Sequence, residues 1–130
     1  MTAKAHWKFL VPNLPVRDVP AAQEWYREVF GLGINWLWED SFGSVGEHRV
    51  ELLLYESDDP QPGICSIFVD DVDAVYERCR EHEAEIVSEL ELKPWNVREF
   101  TVRDPDGNRF RIGKSVEESV PHPEFSYPGM

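Results

Sequence analysis

The chain has 130 residues, 42% of them hydrophobic, and a formal charge of −12. That length allows one compact domain, or two half-domains sharing a core. The charge excludes nucleic acid and anionic membranes as expected partners and favours cationic ones, although acidity by itself is common among folded proteins.

The first apolar run, residues 8–16, predicts a strand ending at a turn. Asp18 is placed to cap a helix from about Val19, with Pro20 in its tolerated first turn. Ala22, Trp25, Tyr26 and Val29 fall on one helical face, and Gly31 supplies the stop. Strands follow at Ile34–Trp38 and Phe42–Val45, and a denser one at Arg49–Tyr55. The order is β-α-β-β-β. Residues 58–63, rich in Asp, Pro and Gly, form a linker.

The order then repeats. Ile64–Val69 predicts a strand, and Asp71 caps a helix to about His82. Glu85–Val87 and Glu89–Leu92 are short or irregular strand candidates. Glu99–Arg103 and Arg109–Gly113 alternate as a hairpin around Asp104–Asn108. Residues 115–130 carry three prolines and no period, which suggests a mobile or draped tail. The expected division is a module at 1–57, the linker, a module at 64–114 and the tail.

The repeat is explicit in sequence. Residues 16–28 and 69–81 are identical at seven of thirteen positions at an offset of 53. Two copies of one supersecondary unit imply a pseudo-twofold arrangement, and such pairs usually build a ligand site between the copies.

Few motifs carry chemistry. Cys65 and Cys79 read as small buried residues rather than as a disulfide or a nucleophile. The Asp104–Asn108 segment lacks the further ligands of a calcium loop, and a turn with Gly107 at positive φ accounts for it. Gly113-Lys114-Ser115 ends like a phosphate loop, but Asn108 stands where its first glycine is needed. No signal-like segment or long apolar run is found, so a cytoplasmic protein is expected.

Three segments carry a resemblance: residues 11–22 (V-P-N-L-P-V-R-D-V-P-A-A), 25–32 (W-Y-R-E-V-F-G-L) and 94–108 (P-W-N-V-R-E-F-T-V-R-D-P-D-G-N). With the duplicated β-α-β-β-β unit, they resemble the vicinal-oxygen-chelate superfamily of glyoxalases, extradiol dioxygenases and antibiotic-resistance proteins. The nearest branch is that of the bleomycin-resistance proteins. The likeness spans residues 9–113 and departs at Asn96, where that branch usually has glycine. It implies an α+β fold in which two tandem βαβββ modules curve a mixed sheet around a cavity. It also implies a homodimer with exchanged modules and two interface sites.

Metal-dependent members place a His, Glu or Gln at four strand positions, so that lone pairs converge on a divalent cation at about 2.0–2.3 Å. The matching residues here are Val11, Glu51, Ile64 and Arg111. Two offer no donor and one is a cation, so no metal and no other cofactor is expected. A buried Glu51–Arg111 pair is the expected replacement; the alternative is that Glu51 is one residue out of register. His6, His48, His82 and His122 lie off the ligand positions.

The resemblance also places Trp36, Phe42 and Trp95 where bleomycin-resistance proteins stack flat rings. The alternative is that these aromatics pack a core or a dimer interface. The sequence thus reads as a non-enzymatic homodimer that sequesters a cationic aromatic small molecule, with bleomycin-type antibiotics first. Its expected ligand-contacting residues are Trp36, Phe42, Trp95, Glu51 and Arg111. The alternatives are a metal-dependent lyase, isomerase or oxygenase with an altered metal site, and a module binding another metabolite.

Overall fold

The computed structural model describes residues 3–116. The chain divides into two compact units between Gly63 and Ile64. Each is a four-stranded mixed sheet with a helix packed on it, and each follows the order β-α-β-β-β. The duplicated pattern predicted this, because each copy carries the same cap, helix face and strand alternation.

In the first unit, β1 (Asn13–Val16) runs parallel to β4 (Val50–Glu56), followed across the sheet by β3 (Phe42–Glu47) and β2 (Gly33–Trp38), both antiparallel to their neighbours. The helix α1 (Val19–Trp25) begins where predicted: the Asp18 carboxylate accepts from the Ala21 amide at 3.0 Å. It continues as a π-helical turn, Tyr26–Phe30, and stops at Gly31, whose φ of 73° is open to glycine. Val19, Ala22, Tyr26 and Val29 bury their side chains beside Leu52 and Leu54 in this unit's core, and Trp25 stays half-buried against Tyr26 and Phe30.

The predicted first strand is shorter than its apolar run. Residues 3–12 form no regular structure, and Trp7, Phe9 and Leu10 lie exposed. Pro12 has no N–H to give; its carbonyl alone accepts from Leu53, and the ladder starts at Asn13.

In the second unit, β5 (Ile64–Phe68) runs parallel to β8 (Arg109–Ser115), with β7 (Val97–Arg103) and β6 (Glu85–Leu92) beyond it. Asp71 caps α2 (Val72–Glu81) by accepting from the Ala74 amide at 3.0 Å. The two candidate segments at 85–87 and 89–92 form one strand. Its register slips against β7 between Ile86 and Ser88, and again between Ser88 and Glu91, so its pattern reads as broken. Phe100, Val102, Phe110 and Ile112 are buried, as are Val72 and Cys79 on α2. Burial pushes the Cys79 thiol up to about 12, which keeps it protonated at neutral pH, and raises that of Cys65 as well.

The Asp104–Asn108 turn is built around a buried carboxylate. Asp104 Oδ1 accepts from the amides of Asp106 (2.9 Å) and Asn108 (2.8 Å), and Oδ2 from Asn108 Nδ2 (2.9 Å). Gly107 takes the positive φ expected of it, 94°. Asn96 also lies in the left-handed region, at 62°, and its amide closes a turn on the Lys93 carbonyl. Asparagine tolerates that conformation better than most other side chains, so the turn forms here without the glycine that the resemblance leads one to expect. Residues 117–130, most of the predicted tail, lie outside the described residues. Among the described residues, no helix is long and apolar enough to cross a membrane.

Candidate functional site

Strand alternation decides which side chains reach the site. On β7, Phe100 and Val102 turn into the core; Val97, Glu99 and Thr101 therefore share the opposite face. On β8, Phe110 and Ile112 are buried, so Arg111 and Gly113 lie on that same face. The register sets Thr101 against Arg111 and Glu99 against Gly113. Glu99 and Arg111 are thus diagonal neighbours on one face.

They meet. Arg111 donates from Nε to Glu99 Oε2 at 3.0 Å and from Nη2 to Oε1 at 3.2 Å. Trp95, in the turn before β7, donates its indole N–H to the same Oε1 at 2.9 Å. The Glu99 side chain is 6% exposed and that of Arg111 is 43% exposed. Burial pushes the Glu99 carboxyl up, but the bonds from Arg111 and Trp95, with the positive charges of Arg111 and Lys93, outweigh it. The group ends below the ordinary carboxylate range.

A pocket of about 250 Å³ opens over this pair. Glu99 and Arg111 line it with Trp95, Val97, Phe68 and Ile67, and Ser66 and Gly113 complete it. Gly113 has a packing reason to be glycine: a Cβ there would sit 2.8 Å from Val97 Cγ1 and 3.2 Å from Glu99 Cβ. A side chain at 113 would press on Val97 and crowd the stem of Glu99.

The first unit carries its own polar and aromatic face. Leu52 and Leu54 are buried, so Glu51, Leu53 and Tyr55 turn the other way. Glu51 Oε2 accepts from Ser44 Oγ at 2.6 Å, and Ser44 Oγ accepts from Asn35 Nδ2 at 3.0 Å. Trp36 and Phe42 meet edge to face at 5.1 Å between ring centroids.

Within their own units the two residues of the expected Glu51–Arg111 pair have other partners, Ser44 for Glu51 and Glu99 for Arg111. The repeat register shows why. In the two parallel ladders, Asn13 faces Leu53 and Ser66 faces Arg111. Asn13 and Ser66 are related by the offset of 53, so the counterpart of Arg111 is Leu53, not Glu51. Glu99, Phe68 and Val97 were not singled out from sequence. A signal for Glu99 existed in the alternation of residues 98–103, which puts it on the face of Arg111. Trp36 and Phe42 lie in one unit and Trp95 and Arg111 in the other, the latter two both bonded to Glu99.

These residues do not fit a divalent metal. Val11, Ile64 and Leu53 have no lone-pair donor, and Arg111 is a cation committed to Glu99. Glu51 alone is a ligand type. Among the described residues, no three His, Cys, Asp or Glu side chains gather as a metal-binding group.

The family model described as Glyoxalase/Bleomycin resistance protein/Dioxygenase superfamily matches residues 8–112. The chain is 29% identical over 127 residues to the uncharacterized protein YraH of Bacillus subtilis, covering 84% of this chain and 99% of that one. The fold is similar to that of TioX from Micromonospora sp. ML1: the TM-score is 0.75 at 21% identity, over 85% of this chain and 100% of that one. It is also similar to a lactoylglutathione lyase from Agrobacterium tumefaciens, with a TM-score of 0.69 at 24% identity, over 85% and 96% of the two chains.

Proposed function

Because the chain belongs to the Glyoxalase/Bleomycin resistance protein/Dioxygenase superfamily, we propose that it captures a flat aromatic small molecule without making or breaking a bond. The observation that carries this reading is the Trp95 pocket. It offers a half-exposed indole locked by Glu99, apolar walls at Phe68 and Val97, and no activated nucleophile or metal-donor set. A ring laid on Trp95 gains area burial and about 0.5–1.5 kcal/mol of stacking. The net charge of −12 supports a ligand that is cationic overall, and bleomycin-type antibiotics are the first candidate.

Titration with bleomycin tests this. It is expected to quench tryptophan fluorescence and to release or absorb heat, with affinity falling as salt rises. Trp95→Ala should weaken binding at least a few-fold with the fold intact. No heat and no quenching at about 100 μM ligand, near −5.5 kcal/mol on the affinity scale, would remove the antibiotic. The rival reading, a metal-dependent lyase, isomerase or oxygenase, shares only the fold with the lyase above. It requires about one metal ion per chain, which elemental analysis of protein purified without chelator would detect.

The protein is further proposed to work as a homodimer. Trp36, Trp38, Ile64 and Phe68 expose apolar surface, and among the described residues each sheet ends in edge strands with one neighbour in that sheet. Both features favour association. Light scattering at micromolar concentration should give twice the chain mass, and a monomer would contradict the proposal.

A further inference from the structure

We infer that the aromatic ring taken by the Trp95 pocket carries a carbonyl-type acceptor, a carboxylate or a carboxamide, and that the exposed edge of Arg111 binds it. This rests on the proposed reading of the pocket as an aromatic-ligand site and adds the polar chemistry of that site.

The two charges of the pair are not equally available. Both Glu99 oxygens are engaged: Oε1 accepts from Trp95 and from Arg111 Nη2, and Oε2 accepts from Arg111 Nε. With a side chain only 6% exposed, this carboxylate has little to offer a ligand. Arg111 is the reverse. Its fork uses only the Nε–Nη2 edge, and a guanidinium carries more N–H groups than those. The rest belongs to a side chain that is 43% exposed and lines the pocket. Of this charged pair, the pocket therefore shows a ligand the donor and not the acceptor.

Geometry ties this donor edge to the stacking surface. The indole N–H and Nη2 share one oxygen, so ring and guanidinium stand side by side, and one flat ligand can meet both. Gly113 keeps the floor beside Glu99 clear of a side chain. An oxygen on the ligand ring gains a charge-assisted hydrogen bond from Arg111. An ammonium at that place meets a like charge in a partly desolvated pocket and is repelled. Any cationic group of the natural ligand must therefore point away from Arg111.

Three naphthalene probes of one ring size decide this by isothermal titration: 2-naphthoate, 2-naphthamide and 2-(aminomethyl)naphthalene. The carboxylate and the amide are expected to bind at least about ten-fold more tightly than the amine, a difference of about 1.4 kcal/mol. Trp95→Ala should weaken all three. The double variant Glu99→Gln with Arg111→Gln, which removes both charges, should abolish the carboxylate-over-amine preference. Should that variant fail to fold, Arg111→Lys, which keeps the charge and loses the fork, should retain only part of the preference. If the amine bound as tightly as the carboxylate in the unaltered protein, and Trp95→Ala still weakened it, aromatic capture would stand and the acceptor assignment would fall. If no probe bound in a Trp95-dependent way, aromatic capture itself would fall, and the assignment with it.

Discussion

Replacing Arg111 by leucine is expected to destabilise the protein by about 2–3 kcal/mol at neutral pH. Removing one partner of a buried pair typically costs about 3–5 kcal/mol, because it strands an uncompensated charge. The lower figure applies here because Arg111 is 43% exposed and solvent already screens part of the attraction. The change leaves Glu99 nearly buried with one donor, the Trp95 indole. Glu99→Leu should cost less, since the exposed guanidinium can turn to water. The double change should recover much of the Arg111→Leu loss. A loss in the double variant equal to the sum of the two single losses would show that the pair contributes nothing.

The pH dependence should separate the two proteins as well. The Glu99 carboxyl lies below its ordinary value of 4.5 in the folded protein. Its contribution is therefore fully present above that ordinary value and is lost as pH falls through the depressed one. Without Arg111, burial is opposed only by the Trp95 bond and the Lys93 charge, so the folded value is expected to rise. The penalty in Arg111→Leu is then relieved as the carboxyl takes up a proton. Urea titrations at pH 7 and pH 4 should show the gap between the two proteins narrowing in acid.

Asp104→Ala is expected to cost about 3–4 kcal/mol, through the turn that its carboxylate holds together. Its carboxylate accepts from two backbone amides and from the Asn108 side chain, and Asn108 is fully buried. Hydrogen bonds to a charged group contribute about 1.5–3 kcal/mol each and are not additive, and a buried donor left unpaired adds its own penalty. Asp104→Asn keeps one acceptor and the size, so about half that loss is expected. The urea midpoint should fall with the slope unchanged, since the unfolded chain is not altered. A functional effect should accompany it, because this turn fixes the β7–β8 register that sets Glu99 beside Arg111. A variant as stable as the original would mean that the backbone bonds of the turn suffice, among them Asp104 N to the Asn108 carbonyl at 2.8 Å.

The amino-acid pattern alone determined the repeated unit, both helix caps at Asp18 and Asp71, the stop at Gly31 and the turn at Gly107. Each depends on side-chain chemistry within a few residues, where a cap or a positive φ admits few residue types. Alternation likewise marked residues 99–103 and 109–113 as a hairpin around the Asp104–Asn108 turn. Partnership across strands is another matter. Arg111 pairs with Glu99 because hydrogen-bonded register, which motif position does not reveal, sets the two diagonally on one face. The same register made Leu53 the counterpart of Arg111, and it joined residues 85–92 into one strand where the local pattern is interrupted. Pro12 shortened β1 by withholding an N–H from a ladder whose other strand lies forty residues away. Only the tertiary structure decides such pairings, since their free energy depends on which distant strand lies alongside, and neither periodicity nor a cap carries that information.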